Sequence, residues 1–98
     1  VTMQNIRYQP QQLTVASGTT VQWVNQDNVA HTVTSGTPQN PTGQFDSGIM
    51  QQGQQYSLTF DQPGTYQYFC EVHPFQMQAV VQVTSGGTGG GQAGQQTR

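Results

Sequence analysis

Lysine is absent from this 98-residue chain, and charge of either sign is scarce: against Arg7 and Arg98 stand only Asp27, Asp46, Asp61 and Glu71, a net of −2. So little basic charge excludes a surface that tracks phosphates, and nucleic acid is not an expected partner. A net charge this small does not steer partners over long distances, and ion pairs cannot hold the fold together. Internal disulfides are excluded because Cys70 is the only cysteine, and the same count removes a four-cysteine zinc site. No apolar run approaches the roughly 18 residues of a membrane-spanning helix. Val1 opens directly into strand-like sequence with no charged and apolar leader before it, which reads as a mature or trimmed soluble form. Helical periodicity is missing as well.

What is present is neutral polarity, with glutamine occurring 20 times, and apolar residues recurring at period two in short runs. That period marks half-buried strands. Leu13 and Val15 alternate with polar neighbours, Ser17 and Gly18 turn, and Val21 and Trp23 alternate again, which reads as a hairpin-like pair. Tyr56, Leu58 and Phe60 make a third set; the run from Asp61 to Gly64 supplies a turn before Tyr66, Tyr68 and Cys70; and Ala79, Val81 and Val83 close the domain. Met3, Ile6 and Tyr8 suggest an opening strand of broken alternation. Residues 34–54, with Pro38, Pro41 and four glycines, read as a long crossing segment with room for one short edge strand or a helical turn. The expected fold class is all-β, a single antiparallel β-sandwich of about seven to eight strands over residues 1–84. Residues 85–98, almost wholly Gly, Gln, Thr and Ser, have nothing to bury and read as a flexible tail or linker.

The chemistry is concentrated where a strand ends, at Cys70, His73 and Met77. Thiolate, imidazole and thioether together suit copper. Residues at i and i+3 on a strand-to-loop turn can reach one ion, and a residue a few positions later can return over it. The second histidine, His31, follows the strand ending at Asn25, and two strand ends can converge at one edge of a sandwich. Two histidine nitrogens and one thiolate in a plane, with a weak axial sulfur, form an electron-transfer copper centre. Taken singly, Cys70 would be an inert buried thiol and Met77 a core filler. Trp23, Tyr66 and Tyr68 are read as core aromatics beneath the site.

At these residues the chain resembles the small blue copper proteins, the cupredoxins of the plastocyanin and amicyanin kind. The resemblance covers residues 1 to about 84. It rests on Val21, Trp23, Asn25, Asp27 and His31, Thr32, Val33; on Phe45, Asp46, Ser47, Gly48; on Phe60 with Pro63, Gly64, Thr65, Tyr66; and on Tyr68, Cys70, His73, Pro74. It implies a Greek-key sandwich holding one type 1 copper ion by His31, Cys70 and His73. The axial position stays open between readings. The amicyanin-like loop runs Cys, two residues, His, Pro, Phe, Met, and here Gln76 stands in the last slot with Met77 after it. Without a gap Gln76 is axial; with one inserted residue Met77 is; a water-bound or open position is the third choice. The rhythm of Met77, Ala79, Val81 and Val83 matches the family's following strand and favours Met77.

The leading expectation is a non-enzymatic, one-electron carrier cycling Cu(II) and Cu(I) between redox proteins. Docking is expected to be weak and transient, at an apolar patch of Pro74 and Phe75 beside His73, since no acidic patch is evident to replace it. Glu71 reads as a solvated loop acid, Asn25 and Asp27 as residues that brace the loop, and the Thr32 backbone as a hydrogen-bond donor to the thiolate. Redox catalysis on a small molecule, such as a nitrogen oxide, at an open axial site is the alternative. Copper storage or delivery ranks third, because Met3, Met50 and Met77 are scattered. The expected setting is extracytoplasmic, in the periplasm or at the outer face of the cell membrane, as a monomer, with the tail a spacer to a membrane tether or another domain.

Overall fold

The computed structural model describes residues 1–85, and the expected tail therefore falls outside the described residues except for Ser85. Nine strands form: β1 (Thr2–Met3), β2 (Tyr8–Gln9), β3 (Gln12–Ala16), β4 (Thr19–Asn25), β5 (Thr34–Thr37), β6 (Asn40–Asp46), β7 (Gln55–Phe60), β8 (Gly64–Phe69) and β9 (Gln78–Thr84). They make two sheets, in the orders β2-β1-β4-β7 and β3-β9-β8-β5-β6. The all-β sandwich is thus as the alternation predicts, and no helix among the described residues is long and apolar enough to cross a membrane. Period two does its work most clearly in β4, where Val21, Trp23 and Asn25 are buried while Thr20 and Gln22 are exposed. The second sheet contributes Tyr68, Val81 and Val83 to the same core.

The pairing differs from expectation in three places. First, β3 and β4 do not form a hairpin. Ser17 N–H donates to Thr84 O in β9 and Gly18 N–H to Phe60 O in β7, so the turn strides from one sheet to the other. Gly18 makes that stride with φ at +91°, a conformation costly for residues with a Cβ. Second, the sheets are mixed rather than wholly antiparallel. β3 lies parallel to β9 from Gln12 opposite Val80 to Ala16 opposite Thr84, and β1 lies parallel to β4. Third, the opening segment is two strands folded back on each other, with Asn5 and Ile6 both at positive φ in the turn between them. A β-branched residue in that region is strained and gives no sequence warning.

Residues 34–54 hold more order than a crossing segment with one short strand. β5 and β6 pair as a bulged hairpin, with the register shift between Thr34 and Gly36. Gly36 is required there: its φ is +103°, and a Cβ would meet the Asn40 carbonyl oxygen at 2.5 Å. Among the described residues the sole ionic contact is between His31 and Asp27, in keeping with a fold that does not lean on ion pairs. The ends of β4 and β8 and the starts of β5 and β9 come together at one edge of the sandwich, and the ligand candidates lie there.

Candidate metal centre

His31, Cys70 and His73 converge although 39 residues separate the first two. Cys70 Sγ lies 3.8 Å from Nδ1 of His31 and 3.8 Å from Nδ1 of His73, and the candidate donor atoms all fall within 4.8 Å of one another. Cys70 and His31 are fully buried, while His73 is half-buried and so offers an edge toward solvent. Each is held by its own local structure. His31 exchanges two backbone hydrogen bonds with Met50, at 3.1 and 2.8 Å. Asn25, also fully buried, shapes the loop before it by donating to the carbonyls of Val29 and Met50 and accepting from Asp27 N–H.

Asp27 fixes the tautomer of His31. Its Oδ2 lies 2.6 Å from Nε2. An ionised carboxylate only accepts, so Nε2 carries the proton and Nδ1 presents its lone pair beside Cys70. Burial works against the Asp27 charge, but the bond from His31 and the Ile6 and Asn5 N–H groups outweigh it and hold the carboxyl below its ordinary value. The strained turn between β1 and β2 therefore has a role: with Asn5 and Ile6 at positive φ, their successive N–H groups grip the two carboxylate oxygens at 2.7 and 2.9 Å. A carboxylate behind a ligating imidazole orients the ring and raises its basicity. Asp27→Ala is expected to weaken copper binding by about 10- to 100-fold and Asp27→Asn by less, because the amide oxygen still accepts from Nε2. Competition against a chelator measures this, and unchanged affinity in both variants would show that Asp27 is a passive neighbour.

Thr32 joins the centre through three atoms. Its N–H points to Cys70 Sγ at 3.4 Å, as expected from the sequence; its Oγ1 accepts from Glu71 N–H; and its carbonyl accepts from the Tyr8 hydroxyl. Burial above all, then the charges of Cys70 and Tyr68, push the Tyr8 hydroxyl far above its ordinary value, so it remains a donor. Tyr8 was not legible as a site residue, since its contact with Thr32 spans 24 positions and carries no spacing signal. The Thr32 side chain likewise escapes notice, although a hydroxyl one residue after a candidate histidine is a usable cue.

The loop from Cys70 to Met77 closes on itself. Cys70 N–H donates to Met77 O at 3.0 Å, and both Gln76 and Met77 N–H donate to His73 O. Met77 is buried in the core cluster that includes Cys70, whereas Gln76 is exposed. Glu71 is exposed, and Pro74 is half-buried beside the 71 % exposed Phe75. The large apolar side chains that stand out to solvent among the described residues are Val29, Ile49, Val72 and Phe75, all on loops that carry or brace the ligands.

The donor set fits copper. Cys70 Sγ stands 3.8 Å from Nδ1 of each histidine, close enough for one ion to be held by all three donors. One soft sulfur with two imidazoles is the trigonal set of electron-transfer copper sites.

Residues 1–84 match the family of copper-binding proteins described as plastocyanin/azurin. The chain is 32 % identical over 81 residues to amicyanin of Paracoccus versutus and 35 % over 81 residues to that of Paracoccus denitrificans, matching 83 % of this chain in each case. These matches span 61 % and 62 % of the amicyanins, less than two thirds of their length. Plastocyanin of Scenedesmus fuscus is 33 % identical over 72 residues, 67 % of this chain and 74 % of the relative. Among solved structures, a purple cupredoxin from Nitrosopumilus maritimus aligns with a TM-score of 0.75 and 31 % identity over 82 % of this chain and 84 % of its own. An amicyanin variant in its oxidised state aligns with a TM-score of 0.75 and 33 % identity over 86 % and 79 %. With a copper donor set in place at the edge of a sandwich of this kind, the chain belongs to the plastocyanin/azurin family of copper-binding proteins, the cupredoxins.

Proposed function

We propose that the protein is a non-enzymatic carrier of single electrons between redox proteins, with copper held by His31, Cys70 and His73 and by Met77 as the weak axial ligand. The bound copper supplies reversible one-electron exchange. The observation that carries this reading is asymmetric burial: two donors are sealed in the core and His73 alone keeps an edge toward solvent. The protein residues hold the donor positions through Asp27, Asn25, Thr32 and the closed loop, so little rearrangement accompanies a change of charge at the centre. Support for Met77 comes from its burial in the cluster of Cys70 and from backbone bonds at both its N–H and its C=O, against the exposed position of Gln76.

Docking is assigned to Pro74 and Phe75 with Val72, extended by Ile49 and Val29, around the edge of His73. The partner is another redox protein, engaged weakly and transiently through apolar contact, and the carrier acts as a monomer in an extracytoplasmic compartment, where the amicyanin and plastocyanin resemblance points. A surface with few charges makes an encounter insensitive to salt. Electron self-exchange between the Cu(I) and Cu(II) forms, followed by NMR line broadening, tests this without needing the natural partner. The rate is expected to change less than about twofold from low to physiological salt, and Phe75→Asp to lower it about tenfold with the visible spectrum unaltered. A strong salt dependence, or a Phe75→Asp variant that exchanges as fast as the parent, would contradict the docking assignment.

Catalysis on a nitrogen oxide or similar small molecule requires an open axial position, and the burial of Met77 weighs against it. A copper spectrum that shifts on adding azide or nitric oxide would favour that second reading. Storage or delivery would call for an exposed methionine cluster, whereas Met3, Met50 and Met77 are all buried.

A further inference from the structure

A cleft of about 580 Å³ runs between the β1–β2–β3 segment and the exit of the ligand loop, on the far side of Met77. We infer that it is a binding site for a small organic carboxylate bearing an N–H or O–H donor, of the size of an amino acid derivative or a dipeptide. The volume lies within the range of small-molecule sites. Its wall carries Arg7, the one Lys or Arg side chain among the described residues, which pairs with no carboxylate among them. In a chain so poor in charge, a guanidinium that lines this cleft with no carboxylate partner among the described residues is a specific feature, and it presents a planar fork suited to a carboxylate.

The remaining groups refine the ligand. Gln11 donates one amide N–H to Gln78 O, and Gln78 donates one of its own to Pro74 O, which leaves each side-chain oxygen as an acceptor beside one remaining N–H; the Gln76 side chain makes no hydrogen bond among the described residues. A ligand with a donor group next to its carboxylate satisfies both kinds of wall. Phosphate is less suited, because four of the backbone N–H groups at the rims, in two successive pairs, are already used. Asn5 and Ile6 bond Asp27, and Gln76 and Met77 bond His73 O. Neither of those successive pairs is free to form a nest for a dianion. Tyr8 and Met77, both buried, supply an apolar floor for a carbon skeleton.

The walls are preformed, which lowers the ordering cost of binding. Gln11 is tied to Gln78 through its side chain and to Val80 through its carbonyl, and Gln4 N–H closes the β1–β2 turn onto Arg7 O. The inference rests on the cleft alone and is independent of which residue is axial to copper.

The test is an amide NMR titration of the Cu(I) protein and of the metal-free protein with N-acetylglycinate, alongside N-acetylglycinamide, acetate and inorganic phosphate. Saturable shifts at the Arg7, Gln11, Gln76 and Gln78 side chains are expected with N-acetylglycinate in both forms. Binding should be about tenfold weaker for Arg7→Gln, with Arg7→Lys intermediate. Absence of a saturable shift would overturn the assignment, as would equal binding of N-acetylglycinamide or phosphate, or full affinity in Arg7→Gln. Because the metal-free protein is titrated too, failure of the cleft assignment and failure of the copper reading give different results.

Discussion

Cys70→Ser is expected to abolish the intense visible absorption of the copper-loaded protein while leaving the sandwich folded. The thiolate is the soft donor of the set and the source of charge transfer to copper; a serine hydroxyl at this position stays protonated at neutral pH and leaves two imidazoles as effective donors. The substitution is nearly isosteric, and the serine oxygen can still accept from Thr32 N–H, which now points at Sγ. Far-ultraviolet circular dichroism should therefore be unchanged, and electron paramagnetic resonance should lose the narrow copper hyperfine pattern of a thiolate-bound site. A Cys70→Ser protein that kept its visible band would remove Cys70 from the metal centre, and with it the one-electron function.

Trp23→Ala is the second large effect, and it acts on stability rather than on the site. The indole is fully buried and meets Tyr68 edge-on at 5.5 Å, Tyr56 at 5.7 Å and Phe60 at 6.3 Å between ring centroids, so it ties both sheets together. Truncation is expected to cost about 3–5 kcal/mol. For a domain whose whole stability is of order 5–15 kcal/mol, that is about a fifth or more. Urea unfolding should show a lower midpoint with an unchanged slope. Tyr68→Phe is the contrasting control. The Tyr68 hydroxyl, pushed up to about 12 by burial, forms no well-aligned hydrogen bond, so deleting it should change stability little. A Trp23→Ala loss below about 1 kcal/mol would mean that the two sheets are held by something other than this aromatic cluster.

The sequence made some of this plain because the relevant signals are local. Alternation marks β4, β7, β8 and β9, since each turns one face to the core, and the spacing of Cys70, His73 and Met77 marks the ligand loop because the loop is short enough to be one geometric unit. Pairing was less legible. The Ser17–Gly18 turn looks like a hairpin turn, and only the bonds from Ser17 to Thr84 and from Gly18 to Phe60 reveal that it passes between sheets. Nor does any pattern announce that β3 runs parallel to β9, because a parallel partner at the other end of the chain leaves no periodic trace. At the metal centre, His31 is identifiable only through the family resemblance and the assumption that strand ends converge. Asp27 is visible as a brace for the loop, but its bond to Nε2 and its grip by Asn5 and Ile6 depend on a turn whose backbone a β-branched residue disfavours. Tyr8 reaches Thr32 from a different strand, so its role is a product of packing and not of local sequence.

The hydrogen bond from Cys70 N–H to the Met77 carbonyl makes the ligand loop a ring whose clasp lies at the mouth of β8 and β9. Such a ring can change circumference without disturbing what it is mounted on. An extra residue between the clasp positions bulges outward into solvent, while Gln78 stays opposite Phe69 and the strands below keep their register. Gln76 and Met77 illustrate the two sides of that ring: Gln76 is exposed on its outside, and Met77 next to it is buried. A residue added to or removed from the loop is thus expected to change the surroundings of the metal site while the sandwich beneath it stays a constant frame.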